Sequence, residues 1–417
     1  MAIAVCGGRK AEGELAVQGS KNAVLPMMSA ALLCDEQCVI ENCPEITDVD
    51  AMAEVIRETG ASAKRQGNNL VLNAADICSG VIEGEKAKEI RASVLLLGSL
   101  VTRFECVHMD YPGGCSIGSR PVDFHLQAFR QMGAVIREEE KGICCEIPEG
   151  LHGATIKLPF PSVGATENIL LAAVKANGTT WLQNAAREPE IVELCQFLKQ
   201  MGAVIEGEGT SHLLIQGNQK LHGIHWKLGA DRIAFLTYAM MVAGCGGDCF
   251  FVLGDTEPAK ETAVLARLGC ELCLEKKGVR VIQQGRPKAI ADICTAPYPG
   301  FPTDGQSLLM AVLTKSSGVS MVEESVFDNR FRMIRQLQKM GANIDCVSNH
   351  ACITGVTRLH AARVEADDLR SGAGLLIAGA MADGETKITG EHFIKRGYED
   401  VVAQMNKLSL LATWCET

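Results

Sequence analysis

The hydrophobic pattern of the chain repeats six times. Six segments open on polar or charged residues and continue as apolar runs rich in small side chains, at intervals of 66 to 72 residues. Runs of this kind are typical of helices that are buried on most sides. The six predicted helices begin at Ser20, Arg91, Val163, Asp231, Pro302 and Asp368.

A second phrase lies between these runs. In it a glycine ends a helical pattern, and alternating polar and apolar residues follow, as in MGAVIREEE and MGANIDC. A glycine in the left-handed conformation commonly caps a helix, and the alternation predicts a strand. The glycines are Gly60, Gly133, Gly202, Gly269 and Gly341. We therefore predict an α/β protein made of six repeats of one strand-and-helix unit, three in each domain.

Length and composition favour two domains and a small-molecule ligand. A chain of 417 residues is long for a single core. Its net charge of −10 argues against nucleic acid or an anionic membrane as a partner. No basic flank precedes an apolar stretch at the start of the chain, and no run of 18 apolar residues occurs, so we expect a cytoplasmic location. The 18 cysteines form no paired CxxC motifs, so we predict reduced thiols, no metal and no cofactor.

The starts of the six helices carry the candidate binding residues. A helix N-terminus has free N–H groups and partial positive charge, so several of them converging make an anion site. Capping or a solvated helix end is the simpler explanation for any one of these residues. The residues at these starts are Lys21, Asn22, Arg91, Ser162, Asp231, Arg232, Asp304, Asp368 and Arg370.

Six cations lie at these starts or beside glycines. Arginine suits carboxylate and phosphate groups, so we expect a ligand with several negative charges. Neither a Walker loop nor a dinucleotide fingerprint is present to hold it. The cations are Lys21, Arg91, Arg120, Arg330, Arg370 and Arg396.

The segment YPGGCSIGSRPVDFH, residues 111–125, carries the candidate reactive group. Its glycines rule out the interior of an ordinary helix or strand, and Cys115 lies five residues before Arg120. A nearby cation lowers the pKa of a thiol, so Cys115 could act as a nucleophile or an acid. The alternative is that Cys115 is a small packed side chain, like most cysteines of this chain.

The sequence leaves the roles of two aspartates undecided. Asp304 opens the fifth predicted helix, where it could be an N-terminal cap or, facing a sugar hydroxyl, a base. Asp368 and Arg370 could form a structural ion pair or a pair that positions a ligand.

Eight segments resemble signature segments of the UDP-N-acetylglucosamine 1-carboxyvinyltransferase family, a branch of the enolpyruvyl transferases. The resemblance extends from about Gly7 to Asp400. The cysteine loop favours this branch over the sister enzymes that act on a shikimate-type acceptor. The segments are GSKNAVLP, PGGCSIGSRPVDFH, FPSVGATEN, AAREPEIV, PGFPTDGQ, VFDNRF, DLRSGAG and IKRGYED.

The resemblance implies a fold and a reaction. The fold is a two-domain inside-out α/β barrel with the substrates in the cleft between the domains. The first domain, residues 21–229, would carry the Cys115 loop, and residues 1–20 and 230–417 would form the second. The reaction transfers the enolpyruvyl group of phosphoenolpyruvate to the 3-hydroxyl of UDP-N-acetylglucosamine and releases phosphate. No nucleic acid, membrane, metal or cofactor takes part.

Residue roles carried over by the resemblance fall into three groups. Cys115 would protonate the enolpyruvyl methylene group and react with fosfomycin, and Asp304 would take the proton of the attacking hydroxyl. Lys21, Arg120 and Arg396 would hold phosphoenolpyruvate, with Lys21 and Arg396 counted as catalytic. The remaining substrate residues would be Asn22, Arg91, Pro121, Val122, Asp123, Phe124, Ser162, Val163, Gly164, Val326, Arg330 and the closure pair Asp368 and Arg370.

Two departures from the family pattern support an alternative hypothesis. Gly305 follows Asp304 where methionine is usual, and the tail MNKLSLLATWCET lacks the usual closing phrase. We therefore expect the sixth repeat to be incompletely closed. The alternative is a weakly active or regulatory paralogue that binds UDP-N-acetylglucosamine.

Overall fold

The computed structural model describes residues 1–113, 122–258 and 260–416. Contacts between residues divide this part of the chain into two compact units. Of the described residues, 19–113 and 122–228 form the internal unit, and 1–18, 229–258 and 260–416 form the terminal unit. Each has its own hydrophobic core. The domain boundaries at residues 21 and 229 stay a prediction, because contacts alone do not test whether each part folds independently.

The internal unit contains three four-stranded sheets with the same topology. In each sheet an edge strand pairs in parallel with its neighbour, and the other two pairings are antiparallel. In spatial order the strands are His225–Lys227, Cys38–Glu41, Asn69–Asn73 and Ser62–Gln66; Val81–Ile82, Cys106–Asp110, Gly142–Glu146 and Val135–Glu138; and Thr155–Lys157, Thr179–Gln183, His212–Gln216 and Val204–Glu206.

The terminal unit repeats this topology three times. Its strands in spatial order are Ala11–Ala16, Gly247–Val252, Gly278–Gln283 and Glu271–Glu275; Asp292–Cys294, Val319–Glu323, His350–Thr354 and Asn343–Val347; and Arg363–Glu365, Glu385–Thr389, Ala2–Cys6 and Leu411–Cys415. The six sheets of the described residues confirm the predicted six-repeat α/β fold.

Six inner helices correspond to the six predicted apolar runs. Within each unit the three inner helices pack against one another and are largely buried, which small side chains permit. The second is shorter than its apolar run, because residues Arg91–Val94 form a 3₁₀ turn first. The inner helices are Lys21–Ala30, Leu95–Leu100, Val163–Ala173, Arg232–Cys245, Thr303–Leu313 and Leu369–Met381.

A close approach between two inner helices of the internal unit requires a glycine. The side-chain oxygen of Asn168 accepts a hydrogen bond from the backbone N–H of Gly98 at 2.9 Å. A Cβ atom at Gly98 would lie 2.4 Å from that oxygen. The amide nitrogen of Asn168 donates to the carbonyl of Val94 at 2.9 Å. A buried asparagine therefore fixes how these two helices pack.

The remaining helices are shorter or amphipathic. The helix Thr47–Glu58 is amphipathic, and its buried residues include Val49, Met52 and Ile56. The others are Glu85–Glu89, Asp123–Gln131, Pro189–Gln200, Ala263–Leu268, Ile334–Lys339, Glu391–Ile394 and Val401–Lys407, with 3₁₀ turns at Ala31–Leu33, Lys260–Thr262 and Phe331–Met333. Among the helices of the described residues, none is both long enough and apolar enough to cross a bilayer.

The predicted glycine caps are confirmed. The five glycines have φ between 89° and 110° and are each followed by a strand. Each glycine N–H donates to the carbonyl three residues earlier. The sixth repeat has Ser409 at this position, with φ of 60° and the same hydrogen bond to Asn406.

The expectation of an incompletely closed sixth repeat is wrong. Leu411–Cys415 pairs antiparallel with Ala2–Cys6 along five residues. Ala412 is buried, and Leu410 donates its N–H to the carbonyl of Met405. The tail thus forms the fourth strand of its sheet without the family's usual phrase, because its alternating side chains suit the same pairing.

Candidate active-site residues

Asp304 lies at the centre of a charged cluster in the terminal unit. One of its carboxylate oxygens accepts a hydrogen bond from Arg330 at 2.8 Å and the other accepts one from Arg370 at 2.9 Å. The two arginines are 4% exposed, whereas the side chain of Asp304 is 26% exposed. The carboxylate is therefore held by two buried cations and keeps one side open.

The geometry rules out one of the two roles left open for Asp304, that of helix cap, and the base role stays a prediction. The N-cap residue of the helix Thr303–Leu313 is Pro302, and Asp304 lies in the first turn. Its side chain faces the arginines, so it is not an N-terminal cap. A Cβ atom at Gly305 would lie 2.8 Å from Phe301 and 3.0 Å from Leu236. The glycine therefore makes room for Phe301 beside the cluster.

Arg370 is positioned by a chain of buried hydrogen bonds. It donates to the Tyr398 hydroxyl at 3.1 Å, and that hydroxyl lies 2.7 Å from the hydroxyl of Thr237. Thr237 donates to the carbonyl of Ile233 at 2.8 Å, which leaves Tyr398 as the donor to Thr237. Burial opposes the charge of Arg370, but Asp304 raises the pKa of Arg370 above its ordinary value. Arg370 therefore remains a cation.

Asp368 contacts Arg370 through the backbone. Its carboxylate accepts the N–H groups of Arg370 and Ser371 at 2.8 and 3.0 Å, which makes it the N-cap of the helix Leu369–Met381. The same carboxylate lies 3.7 Å from Arg330. Within the described part of the chain, the guanidinium of Arg370 pairs with Asp304. The closure role of Asp368 and Arg370 stays a prediction.

Glu324 organises the loop that carries Val326. Its carboxylate accepts the N–H groups of Val326 and Phe327 at 2.9 and 3.1 Å, and the hydroxyl of Thr303 at 3.0 Å. Glu324 is 3% exposed. This carboxylate links the Val326 loop to the helix start beside Asp304.

Arg396 lies in the turn that follows the helix Glu391–Ile394. Gln18 fixes this turn, because its amide donates to the carbonyl of Gly397 and accepts the N–H of Glu399, both at 3.0 Å. Arg396 itself is partly exposed. Gln18 therefore holds the backbone of the turn, and the side chain of Arg396 lies partly at the surface.

Lys21 and Asn22 begin the first inner helix, in the internal unit. Ser20 caps the helix by accepting the N–H of Ala23 at 3.3 Å. The buried ammonium of Lys21 lies 2.8 Å from the carboxylate of Asp48, and the amide of Asn22 donates to Glu190 at 3.4 Å. Capping is done by Ser20, so the side chains of Lys21 and Asn22 make other contacts.

Ser162, Val163 and Gly164 begin the third inner helix. The hydroxyl of Ser162 accepts the N–H of Ala165 at 3.3 Å and so caps the helix. A Cβ atom at Gly164 would lie 3.3 Å from the ring of His125. The backbone at Gly164 thus packs directly on that imidazole.

His125 is a buried neutral imidazole. Burial, with a contribution from the charge of Arg91, lowers the pKa of His125 to about 3. Its Nδ1 lies 2.8 Å from the amide nitrogen of Asn168, which donates to it, so Nε2 carries the proton. Arg91 begins the 3₁₀ turn before the second inner helix. The structure therefore brings Arg91, His125 and Gly164 together in this unit.

Three acidic residues lie close together near Asn22. Burial raises the pKa of Glu167 well above its ordinary value, and the charges of Glu190 and Glu188 raise it further. Glu167 and Glu190 are each 5% exposed. Burial and the two neighbouring carboxylates therefore favour the protonated form of Glu167.

The residues after the cysteine loop are only partly described. Val122 is buried and precedes the helix Asp123–Gln131, and Phe124 packs on the core of the internal unit. The Oδ1 atom of Asp123 is buried and makes no hydrogen bond within the described residues. Cys115, Arg120 and Pro121 lie outside the described residues.

The chain is similar to known proteins along almost its whole length. Residues 5–405 match the family described as EPSP synthase (3-phosphoshikimate 1-carboxyvinyltransferase). The chain is 42% identical over 403 residues to the UDP-N-acetylglucosamine 1-carboxyvinyltransferase of Finegoldia magna, with 95% of each chain covered. The chain belongs to the UDP-N-acetylglucosamine 1-carboxyvinyltransferase family. The relative of the same name from Thermotoga petrophila is 40% identical over 418 residues and 99% of each chain.

Solved structures of enolpyruvyl transferases share the fold. The enolpyruvyl transferase NikO from Streptomyces tendae matches with a TM-score of 0.88 at 23% identity, over 99% of this chain and 98% of that one. An EPSP synthase from Acinetobacter baumannii matches with a TM-score of 0.75 at 18% identity over 99% of each chain. The fold of this chain is thus found in solved proteins of low sequence identity to it.

Several contact residues of the described part of the chain were not predicted from the sequence. Glu190, His125 and Tyr398 lie inside quoted motif segments, so their place in a motif was a usable signal. Asp48 lies in the first turn of an ordinary amphipathic helix, and nothing in its neighbourhood marks it as the partner of Lys21.

Proposed function

We propose that this protein transfers the enolpyruvyl group of phosphoenolpyruvate to the 3-hydroxyl of UDP-N-acetylglucosamine and releases phosphate. The observation that carries the proposal is 40–42% identity over almost the full chain to relatives named for this activity. The reaction is the first committed step of peptidoglycan synthesis. We place it in the cytoplasm, where it supplies cell-wall growth, cell shape and division.

Cys115 is the proposed acid. Its thiol gives a proton to the methylene carbon of phosphoenolpyruvate while the sugar hydroxyl oxygen bonds to the adjacent carbon. Loss of a proton from the resulting methyl group and departure of phosphate then restore the enol double bond. The same thiol is the proposed target of fosfomycin.

Asp304 is the proposed base for the sugar hydroxyl. Both of its oxygens accept hydrogen bonds from arginines, so the carboxylate keeps a fixed orientation, and its exposed side leaves room for a hydroxyl. Arg330 and Arg370 hold Asp304 in place, and Tyr398 holds Arg370. Asp304 therefore needs no reorganisation when substrate arrives.

Lys21, Arg120 and Arg396 are the proposed partners of phosphoenolpyruvate. Its carboxylate and phosphate carry several negative charges, which cations neutralise as the tetrahedral intermediate forms. Lys21 is held against Asp48, so an arriving anion would compete with that carboxylate or share the ammonium with it.

The proposed residues for UDP-N-acetylglucosamine come from helix starts and loops. Asn22 positions the sugar, and Asp123 offers a buried oxygen to an N–H or O–H donor of the nucleotide. The other proposed residues for this substrate are Arg120, Pro121, Val122, Phe124, Ser162, Val163, Gly164 and Val326. Arg91 and Arg330 are proposed residues of the substrate site, and Asp368 and Arg370 are the proposed closure pair.

The first experiment measures phosphate release with both substrates and with each substrate alone. We expect phosphate only when both are present. Binding of UDP-N-acetylglucosamine without phosphate release would favour the regulatory paralogue instead. Release with a shikimate-type acceptor in place of the nucleotide sugar would indicate the sister activity.

The role of Cys115 has its own test. Cys115→Ser should lower turnover by on the order of a hundredfold or more, because a serine hydroxyl is a far weaker acid. Cys115→Asp keeps an acidic proton donor and should retain much of the activity. Equal rates for all three proteins would refute the assignment.

A further inference from the structure

One face of the second sheet of the internal unit carries two thiols and a carboxylate together. Cys106 lies opposite Glu146 in the antiparallel pairing of Cys106–Asp110 with Gly142–Glu146, and Cys144 lies two residues away on the same face. The two sulfur atoms are 3.7 Å apart. The two sulfurs and a carboxylate oxygen of Glu146 all lie within 4.8 Å of one another.

The sulfur separation fits a tetrahedral metal ion. Two thiolates bound to zinc at about 2.3 Å each, at the tetrahedral angle, are separated by roughly 3.8 Å. The thiols of Cys106 and Cys144 already have this spacing without any movement of the backbone. The carboxylate of Glu146 needs only a side-chain rotation to become a third ligand.

A cation already occupies this position in the structure. The guanidinium of Arg137 contacts the carboxylate of Glu146 and lies 4.0 Å from the sulfur of Cys144. The side chain of Arg137 is 59% exposed, so it can turn into water and vacate the donors. The trio therefore attracts positive charge, and its present partner is displaceable.

The neighbouring histidine is engaged elsewhere. His108 lies opposite Cys144, but its Nε2 atom is 3.5 Å from the carboxylate of Glu83. Cys106 is exposed, whereas Cys144 is 8% exposed. Water can therefore reach the site on the Cys106 side and supply a fourth ligand.

We propose that Cys106, Cys144 and Glu146 bind one thiophilic divalent cation such as Zn²⁺, with water completing the tetrahedron. Two thiolates and a carboxylate are donors that zinc accepts, and each thiol loses its proton to solvent on binding. The bound ion joins two adjacent strands of one sheet. The sequence alone predicts no metal, because the two cysteines are 38 residues apart and meet only through strand pairing.

The test is a Co²⁺ titration of the reduced, metal-free full-length protein. Thiolate-to-cobalt charge-transfer absorption and the visible bands of tetrahedral Co²⁺ should saturate at one equivalent, and added Zn²⁺ should bleach them. Cys106→Ser should abolish the charge-transfer absorption. Cys346→Ser, which removes another exposed cysteine from a strand, is the matched control and should leave the titration unchanged.

Two further variants sharpen the test without removing a thiol. Glu146→Gln should weaken binding by on the order of tenfold or more, since it replaces a charged ligand. Arg137→Ala removes the competing cation and should tighten binding. Thermal unfolding of each metal-free variant checks that the sheet still folds.

Three results would contradict the proposed metal site. Absence of the charge-transfer absorption in the unmodified protein would overturn the proposal, as would undiminished absorption in Cys106→Ser. Weaker binding by Arg137→Ala would also contradict it. Because the readout is metal absorption and not turnover, its result is independent of the proposed transferase activity.

Discussion

Two buried clusters, one in each unit, keep their ionisable groups in opposite ways. In the terminal unit, Arg330 and Arg370 are buried as cations because the carboxylate of Asp304 faces both of them. In the internal unit, Glu167 is buried near Glu188 and Glu190, and burial with these charges raises its pKa, which favours the protonated form. The first cluster keeps its charges by pairing, whereas the second sheds a charge by holding a proton.

The difference matters because both clusters lie near the start of an inner helix. Arg370 lies in the first turn of Leu369–Met381, and Glu167 lies just beyond the first turn of Val163–Ala173. One repeated backbone can therefore carry a fixed charged site or a neutral acid, depending on which partners surround it. The side-chain partners, and not the backbone, set the electrostatics.

The largest expected effect comes from breaking the paired cluster. Asp304→Asn keeps the shape but removes the charge that faces Arg330 and Arg370. We expect turnover to fall by on the order of a hundredfold or more, and the free energy of unfolding to fall by about 2–3 kcal/mol. Phosphate release and urea unfolding measure the two effects.

An exposed ion pair of the same unit is the matched control for Asp304→Asn. Asp248 pairs with Arg280 at 3.1 Å, with both side chains well exposed. Asp248→Asn should leave turnover and the unfolding midpoint unchanged, because water screens that pair. Similar losses in both variants would mean that burial of the arginines does not set the cost.

The second prediction concerns the neutral acid of the internal unit. Since the pKa of Glu167 is raised in the folded state, the folded protein holds a proton that the unfolded chain releases as pH rises above about 4.5. Glu167 therefore destabilises the fold progressively with rising pH, by at most about 1.4 kcal/mol per pH unit. The stability of Glu167→Gln relative to the unmodified protein should thus increase from pH 5 to pH 8.

Urea unfolding at pH 5, 6.5 and 8 measures this trend. The matched control is Glu206→Gln, at an exposed glutamate of the strand Val204–Glu206. Its stability difference from the unmodified protein should be the same at all three pH values. A constant difference for Glu167→Gln as well would contradict a protonated Glu167.

The third prediction compares two buried tyrosines that pack edge to face at 6.4 Å. Tyr398→Phe removes the acceptor of Arg370 and the donor to Thr237, so it should cost about 1–2 kcal/mol of stability and slow turnover. The hydroxyl of Tyr238 is buried and makes no hydrogen bond in the described part of the chain. Tyr238→Phe should therefore be neutral or slightly stabilising in the same unfolding assay.

If the two phenylalanine variants behave alike, the hydrogen-bond chain through Tyr398 does not position Arg370. The turnover rates of the two variants give a second comparison. Only Tyr398→Phe should lower turnover, because Tyr238 has no hydrogen bond to the Asp304 cluster within the described residues.

The repeat and its cap glycines could be predicted because they depend on local rules. A helix of small apolar residues and a cap glycine at positive φ can each be recognised within about ten residues of sequence. The closure of the last sheet was missed because strand pairing joins residues about 400 positions apart. Nothing near Leu411 indicates that Ala2–Cys6 is its partner.

The sequence predicts which charged residues of the candidate site lie at helix starts. It does not predict which of these side chains pair with one another. Lys21, Asp304 and Arg370 stand out as charged residues beside apolar runs. The pairing of the Arg370 guanidinium with Asp304 depends on how two helices pack. The pKa shifts of His125 and Glu167 depend on burial by residues distant in sequence. Such effects are properties of the folded core and are not visible in a local pattern.

The smallest expected effect concerns how the two units end their repeats. The internal unit has glycine at all three caps, Gly60, Gly133 and Gly202, whereas the terminal unit has Ser409 at its last cap with φ of 60°. A non-glycine residue in the left-handed region costs about 1 kcal/mol, but the hydroxyl of Ser409 donates to the carbonyl of Glu12 at 3.0 Å. The two effects oppose each other, so Ser409→Gly should stabilise the protein by no more than about 0.5 kcal/mol. The reciprocal change, Gly341→Ser, should destabilise by about 1 kcal/mol or more, since its φ is 89° and the added Cβ would lie 3.2 Å from His360. Urea unfolding of both variants measures the pair, and a loss of stability in Ser409→Gly would show that the serine side chain contributes more than its backbone strain costs.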